Sequence, residues 1–259
     1  MPGGYHSLET IFAFAEDGDA LSAERADELL LEIRGPFAGA LAEEADNLVL
    51  RAARRARALW GERRGARLAL DKRLPVAAGL GGGSADAAAA VRLLARLWGH
   101  DAAEPRVVAL AAGLGADVPA CLRSRTAFGT GKGDELVLLD GVALAGRPVL
   151  LVNPGVALPT GEVFCAHGGA DGGPLAPGEP LQSALAGRND LEPPAVGLRP
   201  PIGEVLGLLR DAGGAELVRM SGSGATVFAL YGDIAARDAA DARLAAAHPG
   251  WWRLRTRLR

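Results

Sequence analysis

Cysteine and lysine are both scarce in this sequence. Its two cysteines, Cys121 and Cys165, stand apart with no Cys-x-x-Cys and no paired histidine spacing, which argues against a disulfide framework or a zinc site and leaves free thiols. Lysine occurs only at Lys72 and Lys132, all other basic side chains being arginine, so no lysine precedes Lys72. Long apolar runs are missing too. None approaches the roughly 18 residues of a membrane span, and the first residues, MPGGYHSLETIF, hold no charged stretch followed by an apolar one, so a cytoplasmic protein without a membrane partner is expected. Charge of one sign is also lacking. With 28 basic against 31 acidic residues and a net charge of -3, whole-molecule attraction to nucleic acid is not expected, and the arginines from Arg51 to Arg64 read most simply as a solvated face.

Glycine is what the sequence has in excess. Its 36 glycines in 259 residues are about twice the usual share of about 7%, with no collagen-like period, so they belong to turns and to sites built from backbone. The length suits one large domain or two small ones of roughly 100 to 150 residues.

Alternation predicts strands over 7–14, 28–33, 67–71, 135–139, 148–152, 216–220, 226–231 and near 252–256. A period of 3.6 predicts helices over 47–60, 84–98, 105–112, 202–212 and 234–247, with Ser84 placed as the N-cap of the second. The stretch from His167 to Pro180 is Gly- and Pro-rich and reads as loose. Helices and strands alternate without a strict βαβ rhythm, which favours an α+β protein of two units, divided near the turn at Gly141.

Three glycine-associated motifs carry chemistry. Pro75-Val76-Ala77-Ala78-Gly79-Leu80-Gly81-Gly82-Gly83-Ser84-Ala85-Asp86 puts four glycines directly before a helix, where converging N–H groups and the positive end of the helix suit a phosphate chain. A tight turn alone needs fewer glycines. The loop has no lysine for a Walker A motif, and Ser84 stands where a dinucleotide fingerprint starting at Gly79 needs Gly or Ala. The second motif, Gly115-Ala116-Asp117-Val118-Pro119, offers Asp117 either as a general base toward a hydroxyl or as an ordinary helix-terminal aspartate. Met220-Ser-Gly222-Ser-Gly224-Ala-Thr226, the third, is either a plain hairpin or a loop that closes over a ligand.

In this order the motifs resemble the GHMP kinase superfamily. Gly4-Tyr5-His6-Ser7-Leu8, Asp46-Asn47-Leu48, Asp71-Lys72-Arg73-Leu74, the glycine loop, GADVPAC, Asn153-Pro154-Gly155-Val156 with Pro159-Thr160 and Phe164, Arg188-Asn189-Asp190-Leu191-Glu192 and MSGSGATVF are similar to the 4-diphosphocytidyl-2-C-methyl-D-erythritol kinase family. The likeness runs along essentially the whole chain from Gly4. It implies a two-domain α+β GHMP kinase fold, with a ribosomal protein S5 domain 2-like unit over 1–142 and a ferredoxin-like unit over 143–259. The implied reaction is phosphorylation by ATP, with its Mg2+, of the 2-hydroxyl of a cytidine diphosphate derivative in the non-mevalonate route to isoprenoids. By the same resemblance Asp117 matches the catalytic aspartate, Pro75 to Ala85 the loop around the ATP phosphates, and Asn47 and Lys72 the nucleotide side. Tyr5, His6 and Phe164 match a cytidine pocket beside which Thr160 lies; no metal ligands are implied. Taken singly, Tyr5 and Phe164 also read as core aromatics, His6 as a surface histidine, Asn47 as a helix cap and Lys72 as a solvated charge.

One departure stands out. The family opens with a strand bearing a Pro-Ala-Lys-Ile-Asn-like segment upstream of Gly-Tyr-His, and the lysine of that strand has no counterpart in a sequence that starts MPGGYH. Neither Lys72 nor Lys132 takes its place. Loss of that cation is expected to weaken positioning of the γ-phosphate, and loss of the strand to leave a sheet edge unpaired. Two readings follow: a kinase whose true start lies upstream, or a catalytically impaired nucleotide- and cytidine-binding protein of the same fold.

Overall fold

The computed structural model describes residues 8–41, 47–169, 172–175 and 178–259. The first half contains β1 (Thr10–Phe12), β2 (Ala20–Ala26), β3 (Leu29–Arg34), α1 (Leu48–Leu59), β4 (Gly65–Asp71), α2 (Gly82–Trp98), α3 (Pro105–Ala112), α4 (Val118–Arg123), β5 (Ala127–Thr130) and β6 (Glu135–Leu138). β4 inserts between β2, antiparallel to it, and β3, parallel to it, with α1 as the crossover. Gly65 opens β4 where a Cβ would run into the Glu28 backbone, so only glycine admits the strand there. Asn47 starts α1 by accepting the Val49 N–H at 2.9 Å. Fully buried Ala52 and Ala53 then let α1 lie close against Ala87, Ala88 and Val91 of α2, over Leu68 and Leu70 of β4.

The second half contains β7 (Pro148–Asn153), α5 (Thr160–His167), α6 (Pro180–Ala186), α7 (Glu192–Leu198), α8 (Pro201–Ala212), β8 (Ala215–Met220), β9 (Val227–Tyr231), α9 (Ile234–Ala247) and β10 (Trp252–Arg257). The sheet order β10-β7-β9-β8, every neighbouring pair antiparallel, with α8 after β7 and α9 after β9, is the ferredoxin-like β-α-β-β-α-β arrangement with α5 to α7 inserted. All six residues of β7 are buried, as its central place in the sheet requires. A second core forms around Leu150, Val152, Ile202, Leu209 and Tyr231. No helix among the described residues is long and apolar enough to cross a membrane.

The α+β expectation holds, and the differences from the sequence reading have local causes. Of the strand expected over 7–14, Ser7 lies outside the described residues and the described part forms β at 10–12, where it pairs with β5; Gly129 of β5 makes room for the Phe12 ring, 2.8 Å from where its Cβ would stand. β2 escapes detection because alanines and serine give its alternating exposure no hydropathic contrast. Helices α4, α6 and α7 escape it because their prolines stand in the first turn, where the missing N–H costs nothing, rather than marking a break.

Candidate active site

After β4 the chain turns back, and the segment that follows is bent by positive φ at Ala77 (52°), Gly79 (74°) and Gly81 (65°). Helix α2 begins at Gly82, two residues before the expected start, and Gly81 rather than Ser84 is its cap. Ser84 therefore sits inside the first turn. Because the Gly81 cap offers no side chain to accept from these first N–H groups, they face outward at the positive end of a helix of 17 residues, an arrangement suited to phosphate.

A buried charge cluster supports this turn from beneath. The Lys72 ammonium lies 2.5 Å from Asp19 Oδ2 and 2.9 Å from Asp86 Oδ2, with side-chain exposures of 3%, 3% and 7%. The other oxygen of Asp19 accepts the N–H groups of Arg73 at 2.6 Å and Leu74 at 2.9 Å, which fixes the entry to the loop. A Cβ on Gly82 would stand 3.3 Å from the ammonium, so the cluster and the helix start are in contact. Burial drives the Asp86 carboxyl up to about 6; Lys72 opposes the rise and Asp19 adds to it.

The 221–225 turn closes against the first loop from the other half of the chain. Ser221 donates its hydroxyl to the Gly79 carbonyl at 2.8 Å, and the Thr226 N–H donates to the Ala78 carbonyl at 3.1 Å. Asn189 donates from its amide to the carbonyls of Met220 and Gly222 at 2.9 and 2.8 Å, and the Asn153 amide donates to the Thr226 hydroxyl at 2.9 Å. Thr160, at the start of α5, meets the Ser223 hydroxyl at 2.9 Å, so α5, which also carries the half-buried Phe164, is tied to the same turn.

Asp117 stands at the N-cap of α4, where its side chain bonds to no N–H of the helix. Its carboxyl reaches solvent, yet enough protein crowds it that desolvation raises its proton affinity above the ordinary. Burial, reinforced by Asp117, pushes the Cys121 thiol up to about 12, which leaves it neutral and inert. Arg92 of α2 donates to the carbonyls of Cys121 at 2.6 Å and Leu122 at 3.3 Å, so the helix that carries the glycine loop also holds the helix that carries Asp117.

Of the residues singled out in the sequence, 75–85, Lys72 and Thr160 thus converge on the two docked loops, and Asp117 is tied to them through α2. Asn47, 5% exposed, is engaged at the start of α1. Tyr5 and His6 lie outside the described residues. No three His, Cys, Asp or Glu side chains gather as a metal cage among the described residues. A cavity of about 710 Å³ lies behind Asn189, with Arg188, Arg210 and Arg219 on its walls, and includes none of the predicted site residues.

Comparison with known proteins decides the family. Residues 47–125 match the GHMP kinases N terminal domain and residues 177–249 the GHMP kinases C terminal domain. Over 99% of its length the chain is 61% identical to the 4-diphosphocytidyl-2-C-methyl-D-erythritol kinase of Rhizorhabdus wittichii, covering 88% of that protein. The chain belongs to the GHMP kinases. A protein of the same name from Parvibaculum lavamentivorans is 49% identical over 96% of this GHMP kinase and 89% of its own length. The crystal structure of a 4-(cytidine 5'-diphospho)-2C-methyl-D-erythritol kinase superposes with a TM-score of 0.77 at 34% identity, covering 99% of this chain and 92% of that one. A homoserine kinase from Cytophaga hutchinsonii, at 18% identity and a TM-score of 0.72 over 100% of this chain and 96% of its own, shares the fold.

As a GHMP kinase, the protein is a small-molecule kinase that uses ATP. Sequence reasoning missed four residues that hold this candidate site together: Asp19, Asp86, Ser221 and Asn189. Asp86 sits two residues beyond Ser84 in the glycine motif, and Ser221 and Asn189 lie in quoted motifs, so each was visible without its partner. Asp19 carried no signal at all, since its role depends on Lys72, 53 positions away.

Proposed function

We propose that this kinase transfers the γ-phosphoryl group of ATP to the 2-hydroxyl of 4-diphosphocytidyl-2-C-methyl-D-erythritol, a step of the non-mevalonate isoprenoid route carried out in the cytoplasm. The likeness along the whole chain to proteins of that name carries the reading. The hydroxyl oxygen attacks the γ-phosphorus, the bond from that phosphorus to the bridging oxygen breaks, ADP leaves, and the hydroxyl proton passes to Asp117. A carboxyl with raised proton affinity suits that task.

The loop from Pro75 to Ala85 receives the phosphates on the N–H groups at the start of α2, with Lys72 supporting it from beneath and Asn47 on the nucleotide side. Donor residues then come from 1–142, and 143–259 complete the acceptor pocket. There Phe164, with Tyr5 and His6, stacks on and hydrogen-bonds the cytosine, and Thr160 joins that pocket to the 221–225 turn. Among the described residues no His, Cys, Asp or Glu cluster forms a cage for Mg2+, and the metal would come with the nucleotide, where it would neutralise phosphate charge. Arg92 keeps Asp117 at a fixed separation from the loop. Transfer of this kind is mostly positioning, so a rigid α2 linking both partners is the feature it needs.

The test is ADP release by the purified chain with both substrates, with ³¹P NMR to locate the new phosphomonoester. Calorimetric binding of both ligands without ADP release would instead make the chain an impaired binding protein of the same fold.

A further inference from the structure

We propose that Asp86 is a positioning residue for the nucleotide: through Lys72 its carboxyl sets the charge beneath the first turn of α2, and the enzyme takes up a proton there from solvent as the polyphosphate binds. This rests on the reading that the glycine loop holds the nucleotide. Asp19, Lys72 and Asp86 form a sealed group, each side chain at most 7% exposed, directly under Gly82. With both carboxyls ionised the group carries one net negative charge at the place where a polyanion is to sit. With Asp86 protonated it carries none, and Lys72 still bonds to Asp19.

The two oxygens of Asp19 are both engaged, one by Lys72 and the other by the N–H groups of Arg73 and Leu74. Among the described residues Asp86 accepts from one donor, Lys72. The charged groups acting on it are Lys72, from the segment after β4, and Asp19, just before β2. From α4 the neutral Cys121 thiol lies within its influence, and α1 contributes Val49, Ala52 and Ala53 to the shared core. Burial has already lifted the carboxyl to about 6, so a nearby polyphosphate moves its titration further into the neutral range.

Nucleotide binding to the wild type and to Asp86→Asn is compared by calorimetry from pH 5 to 8 in buffers of different ionisation enthalpy. Asparagine keeps the shape and an oxygen for Lys72 but cannot titrate, and the difference between the proteins cancels the titration of the nucleotide's own phosphates. The expected result is extra proton uptake by the wild type, at most one per nucleotide, and an affinity that weakens roughly tenfold relative to the variant as pH rises through the transition. In turnover the same change appears in KM for ATP and not in kcat. Parallel pH profiles with equal proton uptake would overturn the proposal. Absence of nucleotide binding by the wild type would overturn the nucleotide reading itself, and this inference with it. Should the variant fail to fold, a ¹³C titration of the wild-type aspartates decides: one raised carboxyl must titrate higher with nucleotide than without, and an unmoved set refutes the idea.

Discussion

The hydroxyl of Ser221 donates to the carbonyl of Gly79 at 2.8 Å, joining two glycine loops separated by 142 positions of chain. The bond closes a contact that has no room to spare. A Cβ on Gly79 would run into the Ser221 carbonyl and stand 2.6 Å from the Gly224 carbonyl, and Gly79 has a φ of +74°. Glycine at position 79 is therefore needed for a steric reason that composition alone does not reveal.

Gly79→Ala is expected to be severe. The left-handed backbone costs an L-residue about 1 kcal/mol and the overlap with rigid backbone about 1 to 3 more, so unfolding in urea should show a loss of about 3 kcal/mol. Turnover should fall by at least a hundredfold, since the loops can no longer dock. Wild-type stability and activity in this variant would mean that the loops are not in contact in solution.

Ser221→Ala separates the hydrogen bond from the packing. The hydroxyl is partly exposed to solvent, so its loss should cost about 1 kcal/mol and leave the fold intact. The expected readout is a rise of roughly fivefold in KM for ATP with the melting temperature lowered by only about 2 to 4 °C. A change confined to kcat would assign Ser221 to the transfer step instead.

Asp117→Asn tests the base. Asparagine is as good an N-cap as aspartate, so α4 should persist, and ATP affinity should stay within about twofold. Turnover should drop about 10² to 10⁴ fold, the range a positioned general base supplies. A variant that retains full turnover removes Asp117 from the reaction.

How much of this was legible in the sequence follows from what kind of signal each residue leaves. Gly79 to Gly83 announced themselves by density, and Asp117 by its setting before a proline, because both are local features. The helices α1, α8 and α9 were visible through their period. What stayed hidden was pairing across the chain: Asp19 with Lys72, Asn189 with the Met220 and Gly222 carbonyls, Arg92 with the end of α4. Lys72 read equally as a solvated charge and as a nucleotide-side residue, and only its 3% exposure between two carboxylates shows that it is neither solvated nor alone. Ser84 was misplaced as a cap because glycine at 81 adopts the left-handed turn without any side-chain bond, which a search for capping side chains does not find.

The pH dependence of stability gives an independent check on the buried cluster. Asp86 is lifted by burial from an ordinary 3.8 to about 6, so the folded protein holds that proton more tightly than the unfolded chain. Its contribution to stability is then complete below about pH 4 and is lost as pH rises through about 6. Because Asp86→Asn has nothing to lose there, the wild type should forfeit about 2 kcal/mol relative to the variant between pH 4 and pH 7. Other carboxylates, present in both proteins, drop out of the difference. Urea unfolding of the pair at half-unit steps measures it directly. A difference that does not vary over this range would mean that Asp86 keeps its ordinary acidity, and that Lys72 offsets the whole cost of burying it.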